Sequence, residues 1–502
     1  MNISQEQLFR NLFILLLIVF CTILGFSVNP ILVWGAVVAG ICGILLLARP
    51  ALILTFYWGW CTLFESILSS LVARGSFVRL ISRLLMLELV ASVFLLYIYK
   101  RWSDPRIRSN KRWFLFLGFS LVCSSLMGEF RPSNMILAYF DYYAFPFIFL
   151  AGIAFYPEKE SFIERIPKIA ISVIYLSFPL HLLSYMNVLP WTQILNVFDR
   201  ARGFFYSHGT MGFYAVAMLF MSFGMMLKAE TVKSRRNWLI GAAASALTFF
   251  ITFNLHMYVY LLLLYLLYMV AFPARRALKI GVLVFSFLLF LLAIFLAPLF
   301  LQVDRLEYRD IMRKEFDWEK ISRRSEISVI SPKQEIFEWL VIRNLSELPM
   351  EWAFGNGMGM GVGRTVMTRI TPAARKYLGE FYFSVSGRSK MGTSATTSPR
   401  FGLMSIWSDL GVFGTSAYFG IYLFAAYHLW RNVLRGVYKN KTQQVLAESA
   451  VLWLALMVMG NCYSSDFFWR QELISGLWIT IALAWSPVAV DRKSEDGATC
   501  SV

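Results

Sequence analysis

The segment Asp199-Arg200-Ala201-Arg202-Gly203-Phe204-Phe205-Tyr206-Ser207-His208 sets two arginines and a histidine between two long apolar runs. A guanidinium presents a planar fork of donors that matches phosphate oxygens, so arginine at such a place suits an anionic headgroup. His208 can take a proton near neutral pH or simply hold structure. A second basic group lies between Trp352 and Arg400. There Arg364, Arg369, Arg375, Lys376, Arg388, Lys390 and Arg400 stand against the single acid Glu380. Any one of these side chains fits a solvated face or a general attraction to anionic lipid. As a group on one side of a membrane they favour phosphate recognition.

Gly355-Asn356-Gly357-Met358-Gly359-Met360-Gly361-Val362-Gly363 places glycine at alternate positions. Glycine permits positive φ and close backbone approach, so the run predicts either a tight anion-cradling turn or a flexible connection between loop helices. It is not a P-loop, because the Lys-Ser/Thr end is missing. Glu65, Glu88 and Asp409 fall within apolar runs and Asp141 at the start of another. Acids in such runs face a cavity or a partner. Pairing with an internal arginine accounts for Glu65 and Glu88. Asp409 lies about two turns into a helix expected to start near Phe401, close to the arginines, and is the acid best placed for chemistry. Of the four histidines, His428 is expected inside the cell, His181 within a span and His256 at an outer turn, which leaves His208 nearest the basic loop.

The elements that must position these residues are membrane helices. The 502 residues are 58% hydrophobic and 15% charged, with a mean hydropathy of +0.60. The apolar runs are continuous and about 20 residues long, which predicts an all-α polytopic membrane protein and excludes a transmembrane barrel. About fourteen spans are expected: 11–26, 31–47, 51–71, 81–99, 113–127, 135–156, 169–186, 209–227, 238–253, 257–272, 280–296, 401–427, 447–462 and 473–490. The ninth and tenth share one apolar stretch, which also fits a single kinked helix or a re-entrant pair. Spans 1 to 11 then occupy residues 1–300, a large outer loop residues 301–400, spans 12 to 14 residues 401–490 and a cytoplasmic tail residues 491–502. Ile336, Phe337 and Leu340 in the loop have helical spacing, for an interfacial helix or one packed on the loop itself.

The net charge of +17 would raise nucleic acid as a partner in a soluble protein. Here the topology rule absorbs most of it, since Lys and Arg collect in cytoplasmic loops. Lys100 to Arg112 holds six basic residues against Asp104. Counting outward, the basic stretches Lys228 to Arg236, Arg275 to Lys279 and Arg431 to Lys441 fall on the same side. Both termini are then cytoplasmic, and the first apolar run is expected as a retained span rather than a signal peptide. The six cysteines show neither a disulfide framework nor metal-ligand spacing.

Three separated pieces resemble the O-antigen polymerase and O-antigen ligase superfamily of bacterial envelope glycan enzymes. Arg200-x-x-Gly203-x-Phe205 before a span is similar to that family's Arg-x-x-Gly-Thr-Phe segment. Arg323 or Arg324, followed by Phe354-Gly355-Asn356-Gly357-Met358-Gly359, resembles its long periplasmic loop and Gly-x-Gly-x-Gly turn. Leu403 to Gly414 resembles the return into the membrane, where an acid precedes Gly-hydrophobic-hydrophobic-Gly. The resemblance runs in order from Arg200 to Gly414.

It implies a glycosyltransferase of the bacterial inner membrane that acts without metal or cofactor at the periplasmic face. The implied donor is a polyprenyl-diphosphate-linked oligosaccharide, such as one on undecaprenyl diphosphate, used to build O-antigen or exopolysaccharide. Membrane lipid, a chain-length regulator and export proteins are the other implied partners. Arg200, Arg202, Arg323, Arg324 and Arg400 would hold the diphosphate, Arg200 and Arg324 would stabilise leaving-group charge, and Asp409 or His208 would take the acceptor proton. Gly355, Gly357 and Gly359 would form the loop turn.

The chain departs from the ligase pattern, because Arg400-Phe401 occupies the place of a His-Asn pair. That departure favours the polymerase over transfer of glycan to lipid A-core. A lipid-linked oligosaccharide flippase, a transporter rather than an enzyme, would show charge spread along a path through the membrane and paired halves of similar hydropathy. Here charge concentrates on one face.

Overall fold

The structure is a computed structural model that describes residues 57–64, 105–127, 142, 148–149, 160–185, 196–197, 200–201, 208–252, 255–272, 344–357, 402–463 and 471–485, with isolated positions between 279 and 291. It is mostly helical. In chain order the elements are a π-helical turn Trp60–Phe64, α1 Pro105–Met127, α2 Glu160–Tyr185, β1 Asn196–Val197, β2 Arg200–Ala201, α3 His208–Lys228 and α4 Val232–Ile251. There follow α5 Leu255–Ala271, α6 Asn344–Glu347, α7 Pro349–Phe354, α8 Gly402–Leu434, α9 Lys441–Tyr463 and α10 Gln471–Trp485. Among the described residues, three helices are long and apolar enough to cross a membrane: Gly209–Lys228, Ile406–Leu434 and Lys441–Asn461. Leu115–Met127, Met257–Ala271 and Leu473–Trp485 are shorter apolar helices. The spans expected before residue 105, those at 135–156 and 280–296, and most of the loop 301–400 lie outside the continuously described residues.

The burial pattern is that of a protein surrounded by lipid. On α1 the exposed stripe is Leu115, Phe116, Phe119, Val122 and Leu126, while Ser120 and Ser124 are fully buried beside Leu117 and Leu121. On α5 the exposed face is Val259, Leu262, Leu263, Leu266 and Val270. In water such faces would be polar; an apolar solvent removes that requirement. α3 is apolar all round and 89% of its span is buried, which makes it the central helix of the bundle. It packs on α4, α9, α2 and α5, with edge contacts such as Tyr214 to Trp453 and Phe220 to Tyr268.

The shared stretch resolves into two helices, α4 and α5, rather than one kinked helix. Thr231 caps the start of α4, its Oγ1 accepting from the Ser234 N–H at 3.2 Å. Asn440 Oδ1 does the same for α9, accepting from the N–H groups of Thr442 and Gln443. These caps satisfy donors that a helix start leaves unpaired.

One end of the bundle gathers the basic loops. Lys228 Nζ lies 3.1 Å from Glu448 Oε1 and Lys441 Nζ 2.6 Å from Glu230 Oε1, which brings the end of α3 to the start of α9. Trp430 near the end of α8 donates to the Ala271 carbonyl at the end of α5. The buried Lys279 donates to the Tyr268 and Phe272 carbonyls, capping that same helix end. α1 runs antiparallel to α8, since Ser124 reaches Asp409 while Trp113 meets the ring of Phe424 at a tilt. The basic start of α1 therefore lies at this end too. The described parts of the four basic stretches thus share one end of the bundle, the grouping that loop charge leads one to expect.

Candidate functional site

The starts of α3 and α8 consequently share the opposite end. Leading into α3, β1 and β2 pair antiparallel with Asn196 against Ala201 and Val197 against Arg200. β2 rests against α2. Arg200 is thus a strand residue close before the central helix, and His208 is the first residue of that helix.

α8 is not continuous. Gly411 adopts φ 64°, ψ −170°, a region that essentially only glycine populates, and the helix breaks there. A break leaves carbonyls of the preceding turn without intrahelical donors. Ser408 O is taken by Asn356, from its backbone N–H at 2.8 Å and its side-chain Nδ2 at 3.0 Å. Asp409 O is taken by the Ser124 hydroxyl from α1. One other helix and a loop turn therefore complete the hydrogen bonding of the interrupted helix.

The loop turn fits by backbone contact. α7 begins at Pro349, whose missing N–H costs nothing at a helix start. It ends at Gly355, with φ 83° and ψ 179°. A Cβ at Gly355 would stand 2.3 Å from Asp409 O, and one at Gly411 would stand 2.4 Å from Ala353 O and from Gly355 N. Each glycine makes room for the other's chain. Trp352 meets Trp407 edge to face at 6.1 Å and Phe354 meets Phe413 at 5.5 Å, one pair on either side of the crossing. The indole N–H groups of Trp352 and Trp407, and the Thr415 hydroxyl one turn beyond the break, are buried without a hydrogen-bond partner.

Asp409 is the last acid before the break. Its exposure is 1%, and its Oδ2 accepts a hydrogen bond from the Tyr142 hydroxyl at 2.9 Å. Tyr142 is itself 1% exposed and lies edge-on to Tyr418 at 5.9 Å. A carboxylate so enclosed needs donors to remain in place, and the tyrosine supplies one.

Of the residues singled out by sequence, Asp409, Gly355 and Gly357 come together, and the elements carrying Arg200 and His208 start at the same end of the bundle. Arg202, Arg323, Arg324, Gly359 and Arg400 lie outside the described residues, as do the loop helix at 336–340 and Glu65 and Glu88. Two expectations change. The first part of the glycine run is neither an anion cradle nor a loose connection, because Gly355 N–H donates to Glu351 O and Asn356 N–H to Ser408 O. Asp409 lies toward the end opposite the basic stretches but is enclosed rather than open. Tyr142, Ser124 and Asn356 were missed. Asn356 lies in plain view inside the glycine run, whereas Ser124, beside Ser125, and Tyr142, between Asp141 and Tyr143, carry no motif that sets them apart from their neighbours. No protein-family model matches the chain, and no curated protein matches it.

Proposed function

We propose that the chain is a polysaccharide polymerase of the bacterial inner membrane. It carries about fourteen spans with both termini cytoplasmic, and residues 301–400 form a periplasmic loop. It joins a polyprenyl-diphosphate-linked glycan to another lipid-linked repeat unit. The observation that carries this reading is the docking of the Gly355-Asn356-Gly357 turn into the Gly411 break beside Asp409. It joins two of the three motifs behind the resemblance, at the end where the element of the third, Arg200, enters the central helix. The unpartnered Trp352, Trp407 and Thr415 groups next to the turn are donors that a polar ligand would engage.

In the proposed reaction the acceptor hydroxyl oxygen forms a bond to the donor sugar C1. The bond from C1 to the diphosphate oxygen breaks, and its electron pair goes to that oxygen. The acceptor proton passes to the Asp409 carboxylate, with His208 as the alternative acceptor. Arg200 and Arg324, assisted by Arg202, Arg323 and Arg400, stabilise the diphosphate charge that develops.

The test is reconstitution of purified protein with lipid-linked repeat units, comparing wild type with Arg200→Ala. Products that lengthen by whole repeats, and a loss on the order of 10² to 10³ in the variant, are expected. Transfer only to lipid A-core would replace the polymerase by a ligase. Passage of labelled substrate across the bilayer without any product would replace the enzyme by a flippase.

A further inference from the structure

We infer that Tyr142 is the positioning residue of Asp409. The inference rests on the polymerase reading and adds to it a residue to which neither the sequence motifs nor their spacing point. Tyr142 and Asp409 are 267 residues apart in the chain, and their contact is a hydroxyl to carboxylate hydrogen bond of 2.9 Å with both groups buried. A hydrogen bond to an ionised group is about twice as strong as a neutral one, and its length and direction fix the acceptor. Asp409 needs this, because it sits two residues before the helix break at Gly411. Its carbonyl is held by Ser124, the neighbouring Ser408 carbonyl by Asn356, and its side chain by Tyr142. Main chain and carboxylate are thus anchored from three separate parts of the chain.

The ring of Tyr142 is held in turn. Its edge-on contact with Tyr418 continues into the Tyr418 to Tyr422 hydroxyl contact at 3.4 Å, and Trp478 Nε1 donates to the Tyr422 hydroxyl. Tyr142 therefore reaches Asp409 from a packed aromatic wall rather than from a free side chain. During transfer the tyrosine keeps its own proton and the carboxylate receives that of the acceptor. Its contribution is the orientation of the carboxylate toward that proton.

The experiment uses full-length protein reconstituted with lipid-linked repeat units, with Tyr142→Phe, Tyr418→Phe, Asp409→Asn and the Tyr142→Phe/Asp409→Asn double variant. Tyr142→Phe keeps the ring and removes only the hydroxyl. Its kcat is expected to fall roughly ten- to hundredfold with KM unchanged, and the double variant to be no slower than Asp409→Asn. Tyr418→Phe removes a hydroxyl from the wall behind the Tyr142 ring while keeping the ring contact, and is expected to lower kcat by less than Tyr142→Phe at a similar thermal midpoint. Full kcat in Tyr142→Phe, equal losses in Tyr142→Phe and Tyr418→Phe, or additive losses in the double variant would overturn the inference and leave the polymerase standing. Wild-type protein that makes no product would overturn both.

Discussion

Gly411→Ala isolates the docking of the loop turn on the broken helix. An added Cβ would lie 2.4 Å from the Ala353 carbonyl group and from Gly355 N, all of them backbone atoms, and φ at this position is +64°. Holding a non-glycine residue in this region costs about 1 to 3 kcal/mol before any clash is counted. The contact is far inside van der Waals range and no flexible side chain can absorb it, so separation of the turn is the cheaper outcome. Separation forfeits two hydrogen bonds from Asn356 to Ser408 O, at about 1 kcal/mol each. It also forfeits the Trp352 to Trp407 and Phe354 to Phe413 contacts, again about 1 kcal/mol each. The sum is about 4 kcal/mol, or roughly a thousandfold in the ratio of docked to undocked turn. Hydrogen exchange of peptides covering residues 349–357 reads this directly. Protection at Asn356 is expected to collapse in Gly411→Ala and in the reciprocal Gly355→Ala, while peptides from the centre of α3 remain protected. Gly436→Ala is the control, with positive φ but no atom within 4 Å of the added carbon. It should cost about 1 to 2 kcal/mol without changing exchange at the turn. Unchanged protection at Asn356 in Gly411→Ala would refute the docking.

Other perturbations address the opposite end. Lys228→Ala leaves Glu448 only 10% exposed and without its cation, with Gln444 as remaining donor; a loss of about 2 kcal/mol is expected, read as a lower thermal midpoint in detergent. Lys228→Arg should restore most of it. The Lys441 hydrogen bond and charge hold Glu230 below the usual carboxylate range. The sign follows from that lowering: the contribution is present above the ordinary glutamate value and is lost as pH falls through the lowered one. Both partners are exposed, so Glu230→Gln should match wild type closely at neutral pH, with any difference vanishing as pH falls through the lowered value. A difference that grows in acid would contradict the assignment.

Much of the frame was legible because lipid imposes simple rules. Long apolar runs forecast helices, and the α3, α4, α5, α8, α9 and α10 helices overlap the runs expected near them. The basic stretches around Lys228, Lys279 and Arg431 forecast one shared end, and ion pairs and caps assemble them there. Boundaries moved where polar residues continue a helix beyond the bilayer. α1 begins at Pro105 rather than near Trp113, and α9 at Lys441 rather than Ala447. Hydropathy does not register such turns, because backbone hydrogen bonding rather than apolarity sustains them.

By itself the sequence determined the helical class, the distribution of charge between the two ends, and Asp409 and the glycine run as exceptions in their surroundings. Glycine in a run records that some close approach or positive φ is permitted, but not what approaches. Only the tertiary structure decided that Gly355 and Gly411 admit each other's backbone, that Asn356 completes the hydrogen bonding of Ser408, and that Tyr142 holds the Asp409 carboxylate. These are contacts across 52 to 267 residues of chain. A serine or tyrosine in an apolar span carries no periodicity to announce its partner, since that partner is set by how helices pack.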